Sequence, residues 1–175
     1  MRRAALFLLP LLACLLSACT AAAQPLEPAD LVFHFSCKAE ITSGETQVSC
    51  ELDRTGPGIL RVSIVKPDDL SGMDYYWSGE GFSVAYAGLE AQSDACTLPQ
   101  NNFALILQQT LDYACRPDVL TAGQDGVFSG SFDGCDFSLT ANAETGQIES
   151  LSIPQKEFTA QFLYDPPAER TLLVK

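Results

Sequence analysis

Phe33-His34-Phe35-Ser36-Cys37-Lys38-Ala39-Glu40-Ile41-Thr42-Ser43-Gly44-Glu45-Thr46-Gln47-Val48-Ser49-Cys50-Glu51-Leu52 is the stretch that decides the fold. Apolar and polar residues alternate on both sides of Ser43-Gly44, the two-residue period of a half-buried strand. Residues 31–41 and 46–52 therefore read as a hairpin closed by a two-residue turn at Ser43-Gly44, with Ala39 opposite Val48 and Cys37 opposite Cys50. One face carries Phe33, Phe35, Ala39, Ile41, Val48 and Leu52 and is expected to enter the core. His34 falls on the other face, toward solvent.

The same period continues along the chain. Residues 59–65 follow the Thr55-Gly56-Pro57-Gly58 turn, and 73–77 and 82–86 flank Ser78-Gly79-Glu80-Gly81. Residues 126–132 and 135–141 flank Asp133-Gly134, a hairpin signal that sets Phe132 opposite Cys135, Gly130 opposite Phe137 and Phe128 opposite Leu139. Residues 147–153 stop at Pro154, and Phe158, Ala160, Phe162 and Tyr164 alternate in the last clear strand. About nine strands are predicted by the recurring period. One segment departs from it: Phe103, Ile106, Leu107, Leu111 and Ala114 follow helical spacing, predicting a helix from residue 101 or 102 to 114 with an asparagine cap. Such a helix spans about 20 Å, which keeps Cys96 and Cys115 too far apart to pair, so that a second disulfide, if there is one, joins Cys135 to one of them.

Before these elements stands a leader. Arg2 and Arg3 precede an apolar run over residues 4–16, and Leu16-Ser17-Ala18-Cys19 closes it. The order resembles the lipobox of bacterial lipoprotein signal peptides. That resemblance implies cleavage of residues 1–18, acylation of Cys19 and an extracytoplasmic domain held at the cell membrane, the outer membrane where the host has one. A run of thirteen residues interrupted by Pro10 is too short for a membrane span, which takes about 20; an ordinary secretory signal ending at Ala21–Ala23 is the alternative. Residues 19–30, with two prolines and no periodic face, read as a tether that reaches about 35 Å from Thr20 onward. Residues 31–165 read as a single domain and 166–175 as a tail.

Cleavage before Cys19 leaves 157 of 175 residues, enough for one domain with a real core. It also removes two of ten basic residues while all 22 acidic ones stay, so the net charge becomes −14. A chain this acidic repels phosphate backbones, which excludes nucleic acid as a partner. Five cysteines remain after Cys14 and Cys19 are set aside, an odd number. Cys37 and Cys50, in the register above, face each other where a disulfide can form in an exported domain; the alternative is two reduced thiols in the core. With one histidine and no C-x-x-C, the sequence offers no metal site, and no nucleophile, phosphate-binding or dinucleotide motif appears. It reads as a binding protein without cofactor rather than an enzyme.

Tyr75, Tyr76, Trp77, Phe82 and Tyr86 gather around one hairpin, a set that suits the lining of an apolar groove. At this point a resemblance is carried by the order of features. The anchored leader and hairpins precede Lys66-Pro67-Asp68-Asp69-Leu70-Ser71-Gly72 and Ala87-Gly88-Leu89; the one amphipathic helix precedes Gly126-Val127-Phe128-Ser129-Gly130 and Glu144-Thr145-Gly146-Gln147-Ile148. Over residues 31–164 the chain resembles the LolA-like lipoprotein-carrier superfamily, and within it the small anchored lipoproteins of bacteria. The resemblance implies a mainly β (α+β) fold, a strongly curved antiparallel half-open barrel with a helix over its concave face. It also implies either an apolar or acylated ligand in that concavity, as in characterised members, or a protein partner in envelope signalling. The residues expected to line the groove are Phe33, Phe35, Val62, Trp77, Phe82, Phe103, Ile106, Leu107, Phe128 and Phe137. Two departures bear on function: no amphipathic helix precedes the first strand, and the tether suits a local receptor or holder rather than a shuttle.

Overall fold

The computed structural model describes residues 26–96 and 98–165. The leader 1–18, the lipidation candidate Cys19 and the tail 166–175 lie outside the described residues. The chain first meanders through six strands: β1 (Phe35–Ser43), β2 (Thr46–Gly56), β3 (Ile59–Lys66), β4 (Asp74–Ser78), β5 (Phe82–Tyr86) and β6 (Leu89–Ser93). Helix α1 (Phe103–Ala114) follows. A second meander runs β7 (Thr121–Ala122), β8 (Val127–Phe132), β9 (Cys135–Ala141), β10 (Ile148–Ile153) and β11 (Phe158–Leu163). All eleven strands form one sheet in the order β6-β5-β4-β3-β2-β1-β11-β10-β9-β8-β7, with every pairing antiparallel. The chain thus walks from the central strand β1 out to one edge, crosses by α1, and walks back from the other edge to β11 beside β1.

The alternation read from the sequence becomes one continuous buried face. Phe35, Ala39, Ile41, Val48, Leu52, Leu60, Val62, Tyr75, Trp77, Phe82, Phe128, Phe137, Leu139, Leu151, Ala160 and Phe162 are all buried on it. Eleven strands spaced about 4.8 Å apart would make a flat sheet about 50 Å wide, whereas the 12 residues of α1 span about 18 Å. One helix buries inner-face residues from β8 round to β5 only if the sheet curls toward itself. Register shifts at Ser49/Cys50 and Arg54/Gly56 in β2, and at Ile148/Ser150 in β10, supply local bends. The edge strands β6 and β7 are not paired to each other, so the sheet stays open.

Three expectations need correction. The first hairpin turns at Gly44-Glu45, pairing Ser43 with Thr46, Ala39 with Cys50 and Cys37 with Leu52. Gly44 has φ +57°, the conformation a glycine supplies at the first central position of a two-residue loop. Its N–H donates to the Glu157 carbonyl at 3.0 Å, which ties the loop to the turn entering β11. The strand count rises from about nine to eleven, since β6 and the two-residue β7 carried too weak a pattern to read. Residues 26–30, read as tether, lie against the domain: Leu26 packs on the core and Pro28–Asp30 form a 3-10 turn. The Asp133-Gly134 hairpin matches its expected register, with both loop residues at positive φ.

Candidate functional site

α1 is positioned before anything near it can act as a site. Asn102 caps it, its side-chain oxygen accepting from the N–H groups of Ala104 and Leu105. Leu107 and Leu111 of α1 are wholly buried, and Phe103 meets Tyr75 edge-on at 6.0 Å. Tyr113, near the other end, packs on Phe132 of β8 at 4.7 Å. The helix therefore bridges the β4 side of the curled sheet to the β8 side.

An ion pair fixes this crossing. Arg54 occupies a core-facing position of β2, its side chain 0% exposed, and its Nη1 lies 2.8 Å from Asp112 Oδ1 on α1. The same nitrogen donates to the Gly56 carbonyl at 2.7 Å, and Nη2 lies 3.8 Å from the Cys115 thiol. The other carboxylate oxygen of Asp112 accepts from the Gly58 N–H and the Gln108 amide. The β2–β3 turn and the helix are latched by one charged cluster. The alternation Val48, Cys50, Leu52, Arg54 carries the signal that could have found it: a cation on the buried face demands a buried anion.

Nine of the ten expected lining residues are buried in the core, and of these Phe137 also borders a surface groove of about 550 Å³ and Trp77 and Phe82 one of about 210 Å³. Trp77 and Phe82 meet at 5.0 Å, with Tyr75 stacked on Trp77 and Phe103 against Tyr75, a cluster at the start of α1. Phe35 packs edge-on against Phe162 and Tyr164 in the middle of the sheet. Phe137 covers Gly130 so closely that a Cβ there would come within 2.5 Å of the ring. Val62, Ile106, Leu107 and Phe128 complete the same continuous core. Phe33 alone is set apart, half-buried and facing a surface groove of about 510 Å³ whose apolar walls include Leu31, Ala114 and Leu120. His34 is exposed.

Cys37 and Cys50 are buried free thiols, and Cys96, Cys115 and Cys135 are free and half-buried. The expected disulfide is absent because the true register makes Cys37 and Cys50 diagonal neighbours. Diagonal pairs stand about 7–8 Å apart, beyond the reach of a strain-free bridge. Burial pushes the Cys37 thiol up to about 12, against a smaller opposing effect of the Leu163 backbone. Burial also pushes Cys50 up to about 12, with Cys37 and Glu40 adding to it. Both thiols stay protonated, and so unreactive, at neutral pH. Burial likewise raises Tyr164, whose hydroxyl donates to the Ile148 carbonyl at 2.9 Å.

The inner face runs bare at one end. Beyond Phe82, the inner-facing residues are Val84, Tyr86, Leu89 and Ala91, given by the β5–β6 register. Val84 is half-buried, Tyr86 and Ala91 are exposed, and Leu89 is 78% exposed. α1 does not extend over them. The opposite face of this end holds a groove of about 410 Å³ lined by Tyr76, Glu80, Gln92 and Asp94 among others. Sequence reasoning missed this end because Leu-Glu-Ala-Gln-Ser lacks β-branched and aromatic residues; Ala87-Gly88, both at positive φ, was the available turn signal. Among the described residues no three of His, Cys, Asp and Glu gather to hold a metal ion, and no helix is long and apolar enough to cross a membrane. No protein-family model matches the chain, and no curated protein is significantly similar to it.

Proposed function

We propose that the chain is a bacterial envelope lipoprotein of the LolA-like kind, anchored through Cys19, whose domain is a non-catalytic binding module for a protein partner. The observation that carries this reading is the contrast on the inner face: filled over most of the sheet, bare at β5–β6. The buried aromatic and aliphatic side chains pack against one another under α1, while an apolar strip at an open sheet edge is the kind of surface that marks a protein contact. Anchoring supports a module that receives or senses something nearby.

The test compares two exposed leucines in living host cells. A photo-crosslinking residue at Leu89 gives a discrete protein adduct, whereas the same group at Leu163, 50% exposed on β11, gives none. Absence of an adduct at Leu89, or equal adducts at both, overturns the reading. For the anchor, Cys19→Ala abolishes metabolic acyl labelling, and label that persists refutes it.

A second reading, an apolar or acylated ligand, is favoured by one observation, the Phe33 groove, with exposed Arg116 in its lining. Saturable uptake of a fluorescent fatty acid, lost in Phe33→Asp, would establish it in place of the first.

A further inference from the structure

Between Lys66 and Arg116 the chain has no lysine, arginine or histidine, yet Asp68, Asp69, Asp74, Glu80, Glu90, Asp94 and Asp112 fall in that span. Asp112 is paired with Arg54, and Asp74 lies 3.6 Å from Arg61. The other five are exposed and form no ion pair among the described residues. They surround the β5–β6 hairpin through the 67–72 loop, the 78–81 turn and β6 with the residue after it. The Tyr86 hydroxyl donates to the Asp69 carbonyl, which draws that loop against the hairpin.

β6 pairs only with β5, and all five of its residues are exposed. Counting from Tyr86–Leu89, the pair that closes the two-residue loop, hydrogen-bonded and non-hydrogen-bonded pairs alternate. Leu89, Ala91 and Ser93 therefore turn their backbone groups toward β5, and Glu90 and Gln92 turn theirs outward. Those outward groups form a short template for another strand. A second copy of β6 would set Glu90 and Asp94 against their own kind, which like-charge repulsion opposes.

We infer that β6 accepts an extended protein segment as a twelfth strand, one whose residues alternate between apolar and cationic. Its apolar side chains continue the inner face over Leu89 and Ala91, and its cationic ones lie over Glu90, Glu80 and Asp94. Backbone pairing with Glu90 and Gln92 supplies affinity, and the two faces supply selectivity. This inference rests on the protein-partner reading above and names the partner's chemistry.

The test uses the full chain in nanodiscs of zwitterionic phosphatidylcholine and a labelled octapeptide of alternating valine and lysine, read by fluorescence anisotropy. The peptide binds saturably, and weakens as salt rises. Glutamate in place of lysine weakens binding by at least about tenfold, and so does Gln92→Pro, which removes an outward N–H while leaving the β5–β6 bonds intact. N-methylation of the valine amides or of the lysine amides, in at least one of the two peptides, does the same without touching the protein. Failure of the valine–lysine peptide to bind overturns the inference. So does equal binding of the glutamate peptide, or unchanged binding with Gln92→Pro and both methylated peptides. A Leu89 crosslink that survives Gln92→Pro leaves the protein-partner reading standing and removes strand addition; no crosslink at Leu89 removes both.

Discussion

The β1–β2 and β5–β6 hairpins are built alike and end differently. Each closes on a two-residue loop opened by a positive φ, at Gly44 in one and Ala87-Gly88 in the other. Each alternates small or polar residues with apolar ones. In the first, every inner-facing residue from Phe35 to Ile41 is buried; in the second, cover fails after Phe82. The difference is where α1 lies. Alternation decides which face a side chain takes, and the reach of one helix about 18 Å long decides which part of that face water can touch. Burial is complete under the helix, and exposed inner-face residues begin where the helix stops.

That contrast breaks most sharply at the latch. Asp112→Ala leaves Arg54 buried and unpaired and is expected to cost about 3–5 kcal/mol in urea unfolding. Replacing both partners, Arg54→Met with Asp112→Leu, recovers most of that loss, because two apolar groups need no mutual compensation. A double variant as unstable as the single one would mean the pair is required for the fold itself.

Next comes the core against the bare end. Leu139→Ala, at a position with 0% exposure, is expected to cost about 2–5 kcal/mol. Leu89→Ala stays within about 0.5 kcal/mol of the parent, while weakening the valine–lysine peptide. Gly130→Ala falls between, at about 1–3 kcal/mol, because its Cβ must push Phe137 aside. If Leu89→Ala destabilised as much as Leu139→Ala, the β5–β6 end would belong to the core.

A pH-dependent effect comes from the two buried thiols. Cys37 and Cys50 ionise near 9.0 when exposed and only near about 12 when folded. Between those values the unfolded chain binds fewer protons than the folded one, so stability falls as pH rises through that window and is unaffected below it. Urea midpoints at about pH 8 and about pH 10.5 are expected to differ, and to differ less in Cys37→Ala with Cys50→Ala. Alkylation of the native chain labels Cys96, Cys115 and Cys135; denaturant without reductant then exposes Cys37 and Cys50 to label. Thiols that resist labelling in denaturant would show a disulfide and a different register.

Much of the sheet was legible because its strands advertise themselves. Phe128-Ser129-Gly130 against Phe137-Ser138-Leu139 gave its register through Asp133-Gly134, and Asn102 marked the start of α1. The first hairpin slipped by one turn position because Ser43-Gly44 and Gly44-Glu45 are equally good loops on composition. Contacts more than 100 residues on separate them: the Gly44 N–H bond to Glu157 and the pairing of β1 with β11. The aromatic and aliphatic residues were correctly assigned to one face, but alternation cannot tell a lined groove from a filled core: that depends on the sheet's curl and on α1. The bare end was illegible for the opposite reason, since Leu89 to Ser93 carry little strand propensity and gain their place from pairing with β5.

Strand addition as proposed places binding on the open edge of β6 and not within the sheet. Residue-resolved amide hydrogen exchange with and without the valine–lysine peptide tests it most directly. The Glu90 and Gln92 amides, which face outward, are expected to exchange fast in the free protein and slow on binding, while Leu89 and Ala91, already bonded to β5, change little. Unchanged exchange at Glu90 and Gln92 under saturating peptide would contradict the claim.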